Sequence, residues 1–134
     1  MAARILVVDD NPDIAGMLAD LLTLAGHDTQ VAPNGARALE RLAERDFDLI
    51  ISDLMMPELD GAGLWRELSR RHPGYAARMI FMTGAQDPSA LAFLRGTDVR
   101  VLRKPFTMVD VGREVRHALE SSASASLSAD AGRG

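Results

Sequence analysis

The chain has no cysteine, and Lys104 is the only lysine among its 15 basic residues. Without cysteine there is no disulfide framework, thiol nucleophile or thiolate metal site. Long apolar runs are missing too: none approaches the ~20 residues that a bilayer span needs. The apolar run Ile5-Leu6-Val7-Val8 passes straight into Asp9-Asp10, which is not the apolar region of a signal peptide. A cytoplasmic location, with no membrane association of the chain itself, is therefore expected. A formal net charge of −4 provides no basic stripe, so direct nucleic-acid binding is not expected. No internal repeat of solenoid length is visible.

What remains is the composition of an ordinary globular domain. The 134 residues are 47% hydrophobic and 25% charged, enough for one domain with a core and too few for two.

Five short apolar runs alternate with helical patterns. The strand candidates are Ile5–Val8, Thr29–Ala32, Leu49–Ser52, Met79–Met82 and Val99–Leu102. The first, third and fourth are apolar on both alternating sides, as strands covered on both faces are. The second and fifth carry polar residues and read as sheet edges. Between the strands, Ile14, Met17, Leu18, Leu21 and Leu22 form a helical stripe, with Asn11-Pro12 in the N-cap and first-turn places. Ala36, Leu39, Leu42 and Ala43 predict a second helix. Leu64, Trp65 and Leu68 predict a third, Leu91 and Leu94 a short fourth, and Met108, Val111, Val115, Ala118 and Leu119 the last. Such alternation predicts a parallel sheet with right-handed crossovers and helices on both faces. Residues 1–120 read as one domain. Residues 121–134 are mostly Ser, Ala and Gly with one large apolar residue, Leu127, and read as a tail or linker.

Ligands of open parallel sheets bind beyond the carboxyl ends of the strands. The first strand ends in Asp9-Asp10, the third in Asp53, the fourth in Thr83 and the fifth in Lys104-Pro105. Two unit charges ~4 Å apart repel by about 4 kcal/mol at an effective dielectric near 20. Three carboxylates at one sheet edge therefore call for a divalent cation, and an all-oxygen donor set suits Mg²⁺, with Mn²⁺ able to replace it. A hydroxyl from Thr83 and the ammonium of Lys104 would hold the remaining oxygens of a phosphoryl group, and phosphoryl transfer requires little beyond charge neutralisation and alignment. The lone lysine is a compact point charge that arginine's planar fork does not replace.

Four stretches now stand in order: Ile5-Leu6-Val7-Val8-Asp9-Asp10-Asn11, Asp53-Leu54-Met55-Met56-Pro57 with Gly61, Met82-Thr83-Gly84, and Lys104-Pro105-Phe106. Over roughly residues 4–120 the chain resembles the receiver domain of two-component response regulators. The resemblance implies a flavodoxin-like (βα)5 three-layer sandwich whose five-stranded parallel sheet has the order 2-1-3-4-5. It implies that Asp53 is the phosphoacceptor, and that Asp9, Asp10, Asp53 and the backbone carbonyl of Met55 bind Mg²⁺. Thr83 would turn toward the new phosphoryl group, Lys104 would be its counter-ion, and the Lys104–Pro105 bond would be cis. Met55 and Ala85 would tune attack of water on the aspartyl phosphate. The phosphodonor would be a histidine kinase or a histidine phosphotransfer protein, and the domain itself a monomer or weak dimer, phosphorylating and dephosphorylating without being an enzyme in the usual sense.

One departure stands out. Many receivers carry an aromatic residue three places before the lysine, and here that place is Val101. The Val101–Phe106 segment is similar to receivers attached to hybrid histidine kinases.

Two other readings stay open. An aspartate-nucleophile phosphatase on a related sheet would want an acid two residues after Asp53, where Met55 stands. A receiver-like module that is never phosphorylated would normally have lost an acid or the lysine, and none is lost. His27, His72 and His117 lack metal-ligand spacing and are expected at the surface. Trp65 and Met55-Met56 read as packing or loop residues, Arg66, Arg70 and Arg71 as a solvated helix face, and Arg100 and Arg103 as charges guarding an edge strand.

Overall fold

The computed structural model describes residues 3–54, 59–84, 88–97 and 99–133, without the side chains of 88–91 and 121–133. The expected position of the Met55 carbonyl and that of Ala85 lie outside the described residues. The elements run β1 (Arg4–Val8), α1 (Pro12–Leu24), β2 (Asp28–Ala32), α2 (Gly35–Glu44), β3 (Leu49–Asp53), α3 (Gly61–Arg71), α4 (Pro73–Ala76), β4 (Met79–Thr83), α5 (Pro88–Gly96), β5 (Arg100–Arg103) and α6 (Met108–Arg133). All strand pairs are parallel, and the sheet order is β2-β1-β3-β4-β5. This is the flavodoxin-like α/β order expected.

Period-two alternation in the strands divides the core in two. Ile5, Val7, Leu49, Ile51, Ile80 and Met82 pack with Ala15, Leu18 and Leu22 of α1 and Val111, Val115 and Ala118 of α6. Leu6, Val8, Ile50, Met79 and Phe81 face the other way, against Ala38 and Leu42 of α2, Leu64 and Leu68 of α3 and Phe93 of α5. The three central strands are therefore buried on both faces, each large side chain contributing about 1.5–3 kcal/mol.

Two helical faces differ from the sequence expectation. Met17 is exposed while Ala15 takes its place in the core, and Met108 is likewise exposed at the start of α6. In α2 the buried positions are Gly35, Ala38 and Leu42, with Ala36 and Ala43 outside. Apolar residues flank each buried stripe on both sides, so the pattern alone leaves its centre a residue or so uncertain. The short α4 has no apolar periodicity and was not expected. The backbone of α6 stays helical across residues 121–133, the segment read as a tail or linker.

Helix starts are set by side chains. Asn11 Oδ1 accepts from the N–H of Asp13 (3.0 Å) and of Ile14 (3.4 Å), and Pro12 opens α1. Asn34 caps α2 through the Arg37 N–H at 2.9 Å, and Asp60 caps α3 through the Gly63 N–H at 2.8 Å. Thr107 and Asp110 bond each other's backbone N–H at the start of α6, a reciprocal cap.

The two ends of the sheet are electrically unlike. At the end where strands begin, Arg4 pairs with Asp28 (3.3 Å) and its N–H donates to Asp48 Oδ2 (2.8 Å). At the end where they finish, the acids gather with a single ammonium.

Candidate functional site

β1 and β3 are neighbours in the sheet, yet the chain leaves them toward opposite sides, to β2 and to β4. Their carboxyl ends flank the point where strand order reverses, the crevice that open parallel sheets use for ligands. Asp9 and Asp10 follow β1 and Asp53 closes β3. One carboxylate oxygen from each of the three lies within 4.8 Å of the others. Asp9 is buried at 2% exposure, Asp53 at 8%, and Asp10 is open to solvent.

Backbone bonds carry the strands into the site. The Asp9 N–H donates to Ala32 O (3.1 Å), the Leu54 N–H to Met82 O (3.1 Å) and the Lys104 N–H to Thr83 O (2.8 Å). The side chains that follow each strand are thus held by continued ladder bonds. Asn11 adds a second link, because its N–H donates to Asp9 Oδ1 at 2.9 Å while its own side chain caps α1.

Lys104 Nζ reaches Asp53 Oδ2 at 3.3 Å and stands 3.9 Å from Asp9 Oδ2. Gly84 makes room for this side chain, since a Cβ there would lie 3.1 Å from Lys104 Cβ. Gly61 has the same function on the other flank: a Cβ at this position would collide with the Asp53 carbonyl oxygen and approach Leu54 Cα to 2.9 Å. The Lys104–Pro105 peptide is cis, as expected.

Burial pushes the Asp9 carboxyl above its ordinary value, and the charges of Asp53 and Asp10 add to the shift. The Asn11 N–H and the Lys104 ammonium work against it. Two polar atoms of the site are buried with no hydrogen-bond partner among the described residues, Asp9 Oδ2 and Thr83 Oγ1. A buried polar atom left in this way is costly, about 1–3 kcal/mol. Three clustered carboxylates, one with a buried oxygen that accepts no hydrogen bond among the described residues and all with hard oxygen donors, fit a small divalent cation such as Mg²⁺.

The structure therefore brings together Asp9, Asp10, Asp53 and Lys104, with Thr83 at the adjoining strand end, its carbonyl bonded to the Lys104 N–H. Val101 stands beside Phe81 in the register of β4 and β5, partly exposed, with no aromatic ring of its own to offer. Other expectations met different outcomes. His27 is half-buried rather than a plain surface residue, because its Nδ1 accepts the Ala3 N–H at 3.0 Å. His72 and His117 are exposed. Arg70 and Arg71 lie on a solvated face where both pair with Glu67, at 2.7 and 2.9 Å, whereas Arg66 covers the Phe93 ring. Arg100 at the sheet edge pairs with Glu114 at 3.7 Å. Sequence patterning missed Phe93, the buried anchor of α5, because the stripe there was read from Leu91 and Leu94.

The response regulator receiver domain family matches residues 5–116, and the chain belongs to that family. Its module class works in phosphorelay signalling with histidine kinases. The chain is 36% identical over 120 residues to the response regulator receiver protein CpdR of Brucella abortus, covering 87% of this chain and 96% of that protein. It superposes on NtrX from Brucella abortus with a TM-score of 0.87 at 30% identity, covering 97% of this chain but 30% of NtrX. It also matches the signal receiver domain of a signal transduction histidine kinase from Syntrophus aciditrophicus, with a TM-score of 0.81 at 31% identity, covering 89% and 91% of the two chains. No helix among the described residues is long and apolar enough to cross a membrane.

Proposed function

We propose that this domain is a Mg²⁺-dependent phosphoacceptor that takes a phosphoryl group onto Asp53 from a phosphohistidine of a histidine kinase or phosphotransfer protein. The observation that carries this reading is the convergence of three carboxylates within 4.8 Å, with the chain's sole lysine 3.3 Å from Asp53.

A carboxylate oxygen of Asp53 attacks phosphorus and forms the P–O bond of an acyl phosphate. The P–N bond to the donor imidazole breaks, and its electron pair stays on the departing nitrogen. Burial of Asp53 strips water from the nucleophile, and the ladder bond at Leu54 fixes its backbone. The Lys104 ammonium neutralises charge on the transferred group, and Thr83 donates its unsatisfied hydroxyl to one of the new oxygens. Asp9, Asp10 and Asp53 would hold the metal, with the Met55 carbonyl as the remaining ligand that the family pattern implies. When bound, Mg²⁺ supplies positive charge to the phosphoryl oxygens. Hydrolysis of the aspartyl phosphate then resets the domain, with positions 55 and 85 setting the rate.

The receiver unit is residues 1–120, and residues 121–134 are its tail or linker. Its net negative charge and lack of a basic stripe support a protein partner rather than nucleic acid. Met55 cannot protonate a leaving group, which disfavours a phosphatase that turns over monoesters.

Acetyl phosphate with Mg²⁺ tests the reading. Intact-mass spectrometry should show one hydroxylamine-sensitive phosphoryl per chain, absent without metal and absent in Asp53→Asn. Labelling that survives the substitution would refute it.

A further inference from the structure

We propose that Ser52 is a positioning residue for phosphoryl transfer: its hydroxyl fixes the peptide plane that follows Asp53, and with it the direction of the acceptor carboxylate. The inference rests on the acceptor reading above.

Strand β3 is apolar up to Ser52, and every residue in it is buried. In the register of the sheet Ser52 stands between Val8 of β1 and Phe81 of β4, and all three are 0% exposed. Period two places its side chain on the same face as Ile50, the face covered by α2 and α3, with Asp53 on the other. An aliphatic side chain would suit that position better, because a buried hydroxyl is costly unless it is bonded. A residue that gives up apolar burial beside a reacting group is where a functional reason is expected.

The hydroxyl is bonded, and to the acceptor itself: Ser52 Oγ donates to the Asp53 carbonyl oxygen at 3.0 Å. At the other end of that peptide the Leu54 N–H donates to Met82 O at 3.1 Å. Gly61 packs against the same group, so that a Cβ there would collide with the Asp53 carbonyl oxygen and lie 3.1 Å from its carbon. The Asp53–Leu54 plane is thus held at its oxygen, at its nitrogen and by packing. Of the two hydrogen bonds, only the first depends on a side chain. If the plane turns, the backbone dihedrals of Asp53 must absorb the rotation, and the Cα–Cβ bond that carries the carboxylate is re-aimed. That carboxylate has to meet phosphorus in line while it stands 3.3 Å from Lys104 Nζ, and a misplacement of about 1 Å costs such a reaction on the order of 100-fold. Ser52 therefore acts through Asp53 without touching the reacting atoms.

The test uses the full chain with saturating Mg²⁺ and acetyl phosphate. Initial rates of mass gain and chemical denaturation are measured for the parent, Ser52→Ala, Ser52→Thr and Ser52→Val. Threonine and valine add similar bulk to the packed position and differ by the hydroxyl. Ser52→Ala should stay folded and gain mass on the order of tenfold more slowly than the parent. Ser52→Thr should be faster than Ser52→Val by about threefold or more. A purely structural role would move the denaturation midpoints and leave the rates of the folded proteins alike. A loss below about threefold in Ser52→Ala, or equal rates in Ser52→Thr and Ser52→Val, overturns the inference alone. Absence of any mass gain in the parent overturns the acceptor reading, and this inference with it. Should the threonine and valine variants fail to fold, the ratio of Ser52→Ala to the parent decides.

Discussion

Lys104 Nζ and Asp53 Oδ2 stand 3.3 Å apart although the chain separates them by two strands and three helices. The pair crosses the carboxyl edge of the sheet, with β4 between them, and it leaves the ammonium 3.9 Å from Asp9 as well. One cation therefore serves two carboxylates, which is too little charge for three.

Lys104→Met should leave the domain folded and slow its phosphorylation by acetyl phosphate on the order of 100-fold, the scale of losing one electrostatic contact to a developing charge. Lys104→Arg should restore little of that rate, because a planar fork does not reproduce a compact ammonium 3.3 Å from Asp53. Initial rates of mass gain for the three proteins measure both effects. Full rescue by arginine would show that charge alone matters here.

Asp10 is the exposed member of the trio and no cation faces it at short range among the described residues. Asp10→Asn should stabilise the metal-free domain by on the order of 1 kcal/mol, read as a Tm higher by a few degrees. Asp53→Asn should do less, since it also removes the partner of Lys104. Mg²⁺ should act the other way round: at ~100 times its Kd it adds about 2.7 kcal/mol to the parent, and far less to Asp10→Asn. Thermal melts with and without Mg²⁺ check the pair, and a lower metal-free Tm in Asp10→Asn would mean the acids do not repel one another.

Fold and site were legible to different depths. Buried parallel strands are short apolar runs, and a polar residue right after such a run has few places to go except the crevice. Asp9, Asp53, Thr83 and Lys104 were readable for that reason. Amphipathic faces were less so: Met17 and Met108 fit an apolar helical stripe as letters, yet Ala15 and Val111 lie closer to the sheet. Burial in this fold goes with proximity to a strand, and a small alanine fits there where methionine does not. The α4 turn was hidden because tertiary bonds hold it: the Tyr75 hydroxyl accepts from the Phe47 N–H (3.3 Å) and donates to Asp46 (3.4 Å). His27 was misjudged because its partner, the Ala3 N–H, lies on another element, and no local pattern signals such a bond.

That histidine gives the fold a pH dependence. Burial lowers the His27 pKa below its ordinary 6.5, and the bond to Ala3 requires an unprotonated Nδ1. The unfolded chain then binds the proton more readily than the folded one. Stability is complete above 6.5 and falls as pH drops through the depressed folded value. His27→Gln should flatten the slope of Tm against pH in that window. An unchanged slope would assign it to other groups.

The glycine beside the acceptor is, with Gly35, one of the two most sterically demanding among the described residues. Gly61→Ala drives a Cβ into the Asp53 carbonyl, which is backbone and cannot swing aside. It should cost about 1–3 kcal/mol of stability and slow phosphorylation, because the acceptor strand must shift. Gly84→Ala meets only the flexible stem of Lys104 and should cost less stability. Chemical denaturation of both variants gives the comparison, and equal losses would contradict the packing described.

The central claim concerns one carboxylate, and borohydride reduction of the chain after treatment with acetyl phosphate and Mg²⁺ addresses it most directly. An aspartyl phosphate is reduced to homoserine, and peptide sequencing by tandem mass spectrometry reads its position. The account predicts homoserine at position 53 and nowhere else. Homoserine at another aspartate, or a chain that gains phosphate on a different residue type while position 53 stays unmodified, would contradict it.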